Sequence, residues 1–111
     1  MKFAKECLSC SACTSTCPTC CCFDVEDYCE LGGDCSKRNR KWISCQVLGF
    51  TKVAGGYVFR KEREDRLKHR ILHKFRYHTN EFGKKMCIGC GRCITNCPTE
   101  IDITEVVKNL R

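Results

Sequence analysis

Cysteine is the residue type with the greatest capacity for chemistry in this chain. There are fourteen cysteines in 111 residues, a density typical of chains that are crosslinked by disulfides or folded around metal. Eight of them form two runs of identical spacing. The runs are Cys7-x2-Cys10-x2-Cys13-x3-Cys17-Pro18 and Cys87-x2-Cys90-x2-Cys93-x3-Cys97-Pro98. Thiolates bind soft metals strongly, so the runs predict metal ligands.

The spacing within each run indicates which metal is bound. The pattern C-x2-C-x2-C-x3-C-P holds [4Fe–4S] clusters in bacterial ferredoxins, whereas zinc sites usually combine two separated pairs of ligands. Three cysteines two residues apart can follow three corners of a cubane, and small intervening residues permit the tight loop that this requires. Those small residues are Ser9, Ser11, Ala12, Gly89 and Gly91. We therefore expect two [4Fe–4S] clusters.

The fourth cysteine of each run decides how the ligands are shared. In two-cluster ferredoxins it ligates the cluster of the other run. Applied here, the rule assigns cluster 1 to Cys7, Cys10, Cys13 and Cys97. It assigns cluster 2 to Cys87, Cys90, Cys93 and Cys17.

The other cysteines lie outside the two runs. They are Cys20, Cys21, Cys22, Cys29, Cys35 and Cys45. One interpretation is that they pack as small buried hydrophobic residues. The other is a third metal site, ligated by Cys20, Cys22 and Cys45 together with Cys29 or Cys35. No standard ligand spacing is present among them, so the sequence leaves a third iron–sulfur cluster open.

Disulfides are the alternative to metal for so many thiols. The residues before Cys7 contain no apolar run of the kind that a secretory signal requires. No stretch of the chain approaches the ~20 apolar residues of a membrane span. Because a cytosolic chain rich in cysteine more often binds metal than forms disulfides, we expect a cytoplasmic metalloprotein.

The sequence predicts one domain over residues 1–111. Residues 1–24 carry the first cluster motif, 25–83 form an insertion, and 84–111 carry the second motif and a C-terminal helix capped by Thr104. Within the insertion, apolar residues at helical spacing (Leu67, Ile71, Leu72 and Phe75) predict a basic amphipathic helix over about 60–78, and Gly83 should end any continuation. We expect a small α+β, ferredoxin-like dicluster module with this one long helix and little regular sheet.

Net charge offers several interpretations of the basic helix. The chain has 20 Lys and Arg against 13 Asp and Glu, a formal charge of +7. Each loaded cluster with its four thiolates carries about 2−, so two clusters reduce the total to about +3. We therefore expect the helix cations to balance cluster charge or to contact a partner protein; they are Arg63, Arg66, Lys68, Arg70 and Lys74. Nucleic-acid binding is not expected, and His69, His73 and His78 receive no ligand role.

Motifs outside the cysteine runs make the chain resemble one particular family. Four of them are short: Cys17-Pro-Thr-Cys20-x-Cys22-Phe23-Asp24, Trp42-x-Ser44-Cys45, Gly49-Phe-Thr51 and Val53-Ala54-Gly55-Gly56. The fifth is a longer stretch, which runs from Arg70 to Tyr77, through Phe82-Gly83, and on to Ile101-Asp102-Ile103. The chain is similar, over nearly its whole length, to the iron–sulfur subunit that anaerobic sulfite reductase shares with cytoplasmic NiFe hydrogenases and sulfhydrogenases, in which it is the β subunit. Cys20, Cys22 and Cys45 match further cysteines of that family, whereas Cys21, Cys29 and Cys35 do not.

The resemblance implies an electron-transfer subunit. In that family the dicluster module connects a subunit that binds flavin and NAD(P)H to a catalytic subunit. Its members carry a long region before the first cysteine run, so we expect this chain to be a split, minimal subunit or part of a longer polypeptide. No dinucleotide fingerprint, P-loop or activated nucleophile is present, so we expect no catalytic site. The alternatives are a diffusible ferredoxin and, from another class, a cluster-bearing sensor or nucleic-acid-binding protein.

Overall fold

Helices make up most of the regular structure. The computed structural model describes residues 2–33 and 35–110. The helices are α1 (Lys2–Glu6), α2 (Ala12–Ser15), α3 (Arg63–Leu72), α4 (His78–Phe82), α5 (Arg92–Thr95) and α6 (Ile103–Lys108), with a 3-10 turn at Leu48–Thr51 and a π-helical turn at His73–Tyr77. Strands β1 (Phe23–Cys29) and β2 (Ser36–Trp42) form a two-stranded sheet. The prediction of a small α+β module with little sheet is confirmed at this level.

The apolar core joins the middle of the chain to its C-terminal part. Ile71 on α3 packs with Ile103 and Val106 on α6, and all three side chains are buried. Partly buried residues surround this cluster; they are Phe3, Phe75, Cys93, Ile94, Ile101 and Val107. In addition, α1 packs against α3, and α2 packs against α5. Because α2 and α5 belong to the two cysteine runs, their contact brings the runs side by side.

The predicted helix over about 60–78 differs in the structure. Helical residues begin at Arg63, pass through a π-helical turn from His73 to Tyr77, and end at Phe82. Acidic residues in the first turn of α3 interact favourably with the positive end of its dipole, which is one reason for the start at Arg63. The π-helical turn replaces the regular hydrogen-bond pattern, so this segment is not one uniform α-helix.

A β-hairpin occupies the first part of the region predicted as an insertion. β1 pairs antiparallel with β2, and Phe23 lies opposite Trp42. β1 is acidic and β2 is basic, so opposite charges face each other across the pair. Arg38 donates to the Asp27 carboxylate from Nε (2.6 Å) and Nη2 (2.8 Å). Nearly every residue of both strands is exposed, so the hairpin is a charged and aromatic arm rather than part of the core.

Two helix ends test the predicted caps. Gly83 ends α4 in the left-handed conformation (φ 68°), as predicted. The predicted cap at Thr104 is wrong by two residues, because α6 begins at Ile103 and its N-cap is Asp102. The Asp102 carboxylate accepts from the Thr104 backbone N–H (2.7 Å) and hydroxyl (2.7 Å), so Thr104 is the donor.

Over residues 2–33 and 35–110, none of the helices combines the length and the apolar character that spanning a membrane would need.

Candidate metal centres

The two cysteine runs adopt the same local conformation. The residue before each short helix is left-handed: Ser11 (φ 68°) precedes α2, and Gly91 (φ 73°) precedes α5. Two residues earlier, Ser9 (φ 53°) and Gly89 (φ 74°) also have positive φ. Glycine adopts this conformation freely, whereas a residue with a side chain loses roughly 1–2 kcal/mol. The first run therefore keeps the tight loop in spite of backbone strain.

The first run borders an open hollow of about 550 Å³, which we call the first hollow. Its lining includes the thiols of Cys7, Cys10, Cys13 and Cys97. Backbone groups already point at two of these sulfurs, because the Ser9 N–H donates to Cys7 Sγ (3.4 Å) and the Ile101 N–H donates to Cys97 Sγ (3.4 Å). Most of the remaining lining is apolar, so bound metal would be largely shielded from water on that side.

The second run borders a hollow of about 610 Å³, which we call the second hollow. Its lining includes the thiols of Cys17, Cys87, Cys90 and Cys93. Cys93 borders the first hollow as well. The second hollow thus brings together three cysteines of its own run with the fourth cysteine of the other run. The first hollow does the same and also includes Cys93, at which the two hollows adjoin.

Hydrogen bonds to sulfur favour the thiolate at the fourth cysteine of each run. Burial opposes ionisation of Cys17, but hydrogen bonds from Thr19 and Lys74 lower its pKa to about 6. Burial likewise opposes ionisation of Cys97, whose pKa is lowered by hydrogen bonds from the Thr99 hydroxyl and neighbouring backbone N–H groups. Because the thiolate is the form that binds metal, both cysteines are prepared as ligands.

At Cys13, the effect of burial on the thiol pKa outweighs that of the neighbouring cation. Burial raises the pKa of its thiol, and the nearby Arg70 guanidinium offsets this only in part. Arg70 Nε donates to Cys13 Sγ (3.0 Å), and Arg70 Nη2 donates to the Cys13 carbonyl oxygen (2.7 Å). A bound metal would stabilise the thiolate that burial disfavours.

Three of the cysteines outside the runs lie close to the same cations. Cys22 and Cys45 hydrogen-bond to each other, which lowers the pKa of Cys22 to about 6 and raises that of the buried Cys45. Burial raises the pKa of Cys20 to about 12, although Lys74 acts against this. These three thiols are therefore close to the cysteine runs, but they do not border either hollow.

Cys29 and Cys35 lie far from these thiols. Cys29 is the last residue of β1, opposite Ser36 of β2, and both cysteines are exposed. A strand of this length at about 3.3 Å per residue places Cys29 roughly 20 Å from Cys22. The prediction that Cys29 or Cys35 completes a third site therefore fails on geometry. Within residues 2–33 and 35–110, no group of three His, Cys, Asp or Glu side chains could hold a single metal ion.

Buried cations are the main feature that the sequence did not reveal. Arg66, Arg70 and Lys74 are only 7%, 4% and 3% exposed, although contact with a partner protein was one of the roles expected for them. Their four-residue spacing, which places side chains on one side of a helix, was the available signal. These three cations are not available for docking, whereas Arg63 and Lys68 are exposed.

A polar group beside the first hollow was also missed. Thr14 Oγ1 and Ser44 Oγ are both buried and lie 2.7 Å apart. Gln46 Nε2 donates to the Arg66 carbonyl oxygen (3.0 Å), and Gln46 borders the first hollow. These contacts attach the segment after the hairpin to both α2 and α3. No sequence pattern distinguishes them, because their partners are remote in the chain.

The fold and the two hollows define a class of protein, a small module in which two ferredoxin-type loops lie side by side. A family described as the 4Fe-4S dicluster domain matches residues 6–101, and the chain belongs to that family. It is 40% identical over 110 residues to sulfhydrogenase 2 subunit beta of Pyrococcus furiosus, an alignment that covers 99% of this chain and 32% of that subunit. The chain thus spans about a third of that relative's length. No solved structure matches it.

These comparisons confirm the predicted family, and the residues present fit its cofactor. Five cysteines border the first hollow and four border the second, with Cys93 common to both. N–H groups donate to sulfur, and the buried Arg70 Nη1 has no hydrogen-bond partner among the described residues. An acceptor in the first hollow would satisfy such a donor. The predicted cofactor is likewise confirmed: the chain is a 4Fe–4S dicluster domain that holds two [4Fe–4S] clusters.

Proposed function

We propose that this chain relays single electrons inside a cytoplasmic multi-subunit oxidoreductase. Its electrons would pass between a subunit that binds flavin and NAD(P)H and a catalytic subunit, such as a NiFe hydrogenase or a sulfite or sulfur reductase. The observation that carries the proposal is the pair of cysteine-lined hollows that adjoin at Cys93. The name of the relative, a subunit of a sulfhydrogenase, supports an assignment to such a complex.

The proposed ligands follow the crossed arrangement. Cluster 1 is held by Cys7, Cys10, Cys13 and Cys97, which border the first hollow. Cluster 2 is held by Cys17, Cys87, Cys90 and Cys93, which border the second hollow. When bound, each cluster supplies one-electron redox chemistry. The chain supplies the thiolates, the N–H donors to sulfur and the apolar walls, and these features set reduction potential and solvent access.

Both runs reach the surface at equivalent positions. Cys10 and Cys90 are exposed, and so are the adjacent Leu8 (59%) and Ile88 (65%), which occupy equivalent positions in the two loops. In the proposal, one loop faces the electron-donating subunit and the other faces the acceptor. The chain itself then needs no substrate site.

Cys20, Cys22 and Cys45 define a second part of the proposal. Because Cys22 and Cys45 contact each other and Cys20 lies beside Cys17, they are the thiols that a third iron–sulfur cluster would use. Its remaining ligand would not come from the hairpin. Cys29→Ser is a matched control for Cys22→Ser, because Cys29 is exposed at the far end of β1.

Counting irons and electrons on the same sample tests the function. The chain is purified without oxygen, reduced with dithionite, desalted and mixed with oxidised cytochrome c. We expect about eight irons and eight acid-labile sulfides per chain and about two electrons delivered, or about twelve irons and three electrons with a third cluster. In that second case Cys22→Ser should return the count to about eight irons, and Cys29→Ser should not.

Three observations on the purified chain would together contradict the proposal. Stoichiometric zinc, no visible absorbance from iron and sulfide, and no reduction of cytochrome c would refute an electron carrier. Hydrogen or NADPH added to the isolated chain should leave the clusters oxidised, because the proposal places both substrate sites on other subunits.

A further inference from the structure

Three buried cations lie on one side of the helical segment that crosses the first cysteine run. Arg66, Arg70 and Lys74 recur every four residues and are 7%, 4% and 3% exposed. Lysine and arginine are almost never fully buried unless they are paired, because an uncompensated buried charge is costly. Each of these residues must therefore have a specific partner.

Among the described residues, the Arg66 guanidinium donates hydrogen bonds to backbone and hydroxyl oxygens. Its Nη1 donates to the carbonyl oxygens of Arg60 and Lys61, and its Nη2 donates to Ser9 Oγ (3.4 Å). It thus attaches the segment before α3 to the first cysteine loop, and it makes no hydrogen bond to sulfur within the described residues.

Arg70 and Lys74 instead contact sulfur directly. Arg70 Nε donates to Cys13 Sγ (3.0 Å). Lys74 Nζ donates to Cys17 Sγ (3.1 Å) and to Thr19 Oγ1 (3.0 Å). The two cysteines are successive members of one run, but the crossed ligation proposed above assigns Cys13 to cluster 1 and Cys17 to cluster 2.

We propose that Arg70 and Lys74 are tuning residues that set the reduction potentials of the two clusters separately, Arg70 through Cys13 for cluster 1 and Lys74 through Cys17 for cluster 2. This inference rests on the proposed ligation. Two cations on neighbouring turns of one helical segment would then control the difference in reduction potential between the clusters. This difference decides which cluster holds the electron.

The physical basis is the charge that reduction adds. One-electron reduction, by dithionite or by the donor subunit, takes a cubane core from 2+ to 1+, so the cluster with its thiolates goes from about 2− to about 3−. A fixed cation interacts more favourably with the more negative state. The interaction is strong here because both cations are buried, where screening by water is weak, and no change in their protonation is required.

The second hydrogen bond of each cation keeps it in place. Arg70 Nη2 is held by the Cys13 carbonyl oxygen (2.7 Å), and Lys74 Nζ is held by Thr19. Lys74 also lies in the π-helical turn, a feature that often marks functional positions in helices. Arg70 borders the first hollow and Lys74 borders the second, in agreement with the separate assignment.

The test is a redox titration of the iron-loaded chain followed by EPR. Lys74→Met removes the charge with little change in volume, and Arg70→Met does the same one turn earlier. Lys68→Met is the matched control, because Lys68 lies on the same helix and is exposed. The EPR signals are first assigned to the two clusters with Cys17→Ser and Cys97→Ser.

We expect each variant to lower the potential of its own cluster. Lys74→Met should reduce the equilibrium constant for reduction of cluster 2 at least tenfold, a shift of about 59 mV for one electron, with a clearly smaller change at cluster 1. Arg70→Met should show the reverse pattern. Lys74→Arg and Arg70→Lys keep the positive charge, so their cluster potentials should stay close to those of the wild type. Lys68→Met should change neither potential.

The separate tuning would be overturned if the loaded variants Lys74→Met and Arg70→Met had unchanged potentials. It would also be overturned if each variant shifted the potentials of both clusters equally. If Lys74→Met does not load iron, Lys74→Gln is titrated instead, and the same two outcomes apply to it. A wild-type chain that binds no iron would refute the proposed function itself. If both variants shifted one and the same cluster signal, Cys13 and Cys17 would ligate the same cluster, which would refute the crossed ligation while retaining the tuning role.

Discussion

At the scale of single residues, the two cysteine loops solve the same geometric problem with different side chains. Both need left-handed backbone two residues apart. The second loop meets this need with Gly89 and Gly91, whereas the first uses Ser9 and Ser11. The first loop therefore carries strain of about 1–2 kcal/mol per position. Strain of this kind persists only where the surroundings enforce it, and here the contact between α2 and α5 and the hydrogen bonds to sulfur do so.

Gly91→Ala should lower the free energy of unfolding of the loaded chain by about 1–2 kcal/mol, because alanine is disfavoured at φ 73°. Denaturant unfolding followed by cluster absorbance measures this. Gly49→Ala is the control, since a Cβ there meets nothing within 4 Å and its φ is not positive. Equal stability of Gly91→Ala and the wild type would mean that the loop can change its conformation freely.

At the scale of elements, the packing of α3 on α6 keeps the two halves of the site together. Ile71, Ile103 and Val106 form the buried cluster, and all three also border a hollow. The same helical segment places Arg70 and Lys74 against the first cysteine run. One face of this segment thus contributes to the core while its cations reach the sulfurs.

Ile71→Ala should destabilise the chain by about 2–5 kcal/mol, because it leaves a cavity in the small core. The midpoint of denaturant unfolding provides the measurement. Leu48→Ala should change stability by no more than about 0.5 kcal/mol, since Leu48 is 52% exposed. If the two variants were equally stable, the α3–α6 contact would not be the core of the module.

The sequence predicted the parts of the structure that depend on local spacing. The cysteine runs, the helical stretch after residue 60 and its end at Gly83 follow from residues close together in the chain. The hairpin was missed because charged residues dominate both strands, so β2 shows no apolar alternation. The burial of Arg70 and Lys74 was missed because a cation is buried only with a compensating partner, and their sulfur partners lie 57 positions away.

At the scale of the whole molecule, the net charge and the exposed side chains bear on the assembly proposed above. The formal charge of +7 falls to about +3 when two clusters of about 2− are loaded, and two buried cations lie directly against cysteines of the runs. The exposed aromatic and aliphatic side chains of the hairpin, including Trp42 (53%) and Tyr28 (53%), lie apart from the core. The hairpin is thus an exposed surface apart from the two cysteine loops, which are themselves exposed at Cys10 and Cys90.

The crossed ligation is the central claim, and EPR of two single variants tests it most directly. Cys17→Ser should damage the cluster held by Cys87, Cys90 and Cys93 and leave the other signal intact, because Cys17 borders the second hollow. Cys97→Ser should damage the cluster held by Cys7, Cys10 and Cys13, since Cys97 borders the first. If each variant instead lost the cluster of its own run, the runs would be independent sites and the crossed ligation would be wrong.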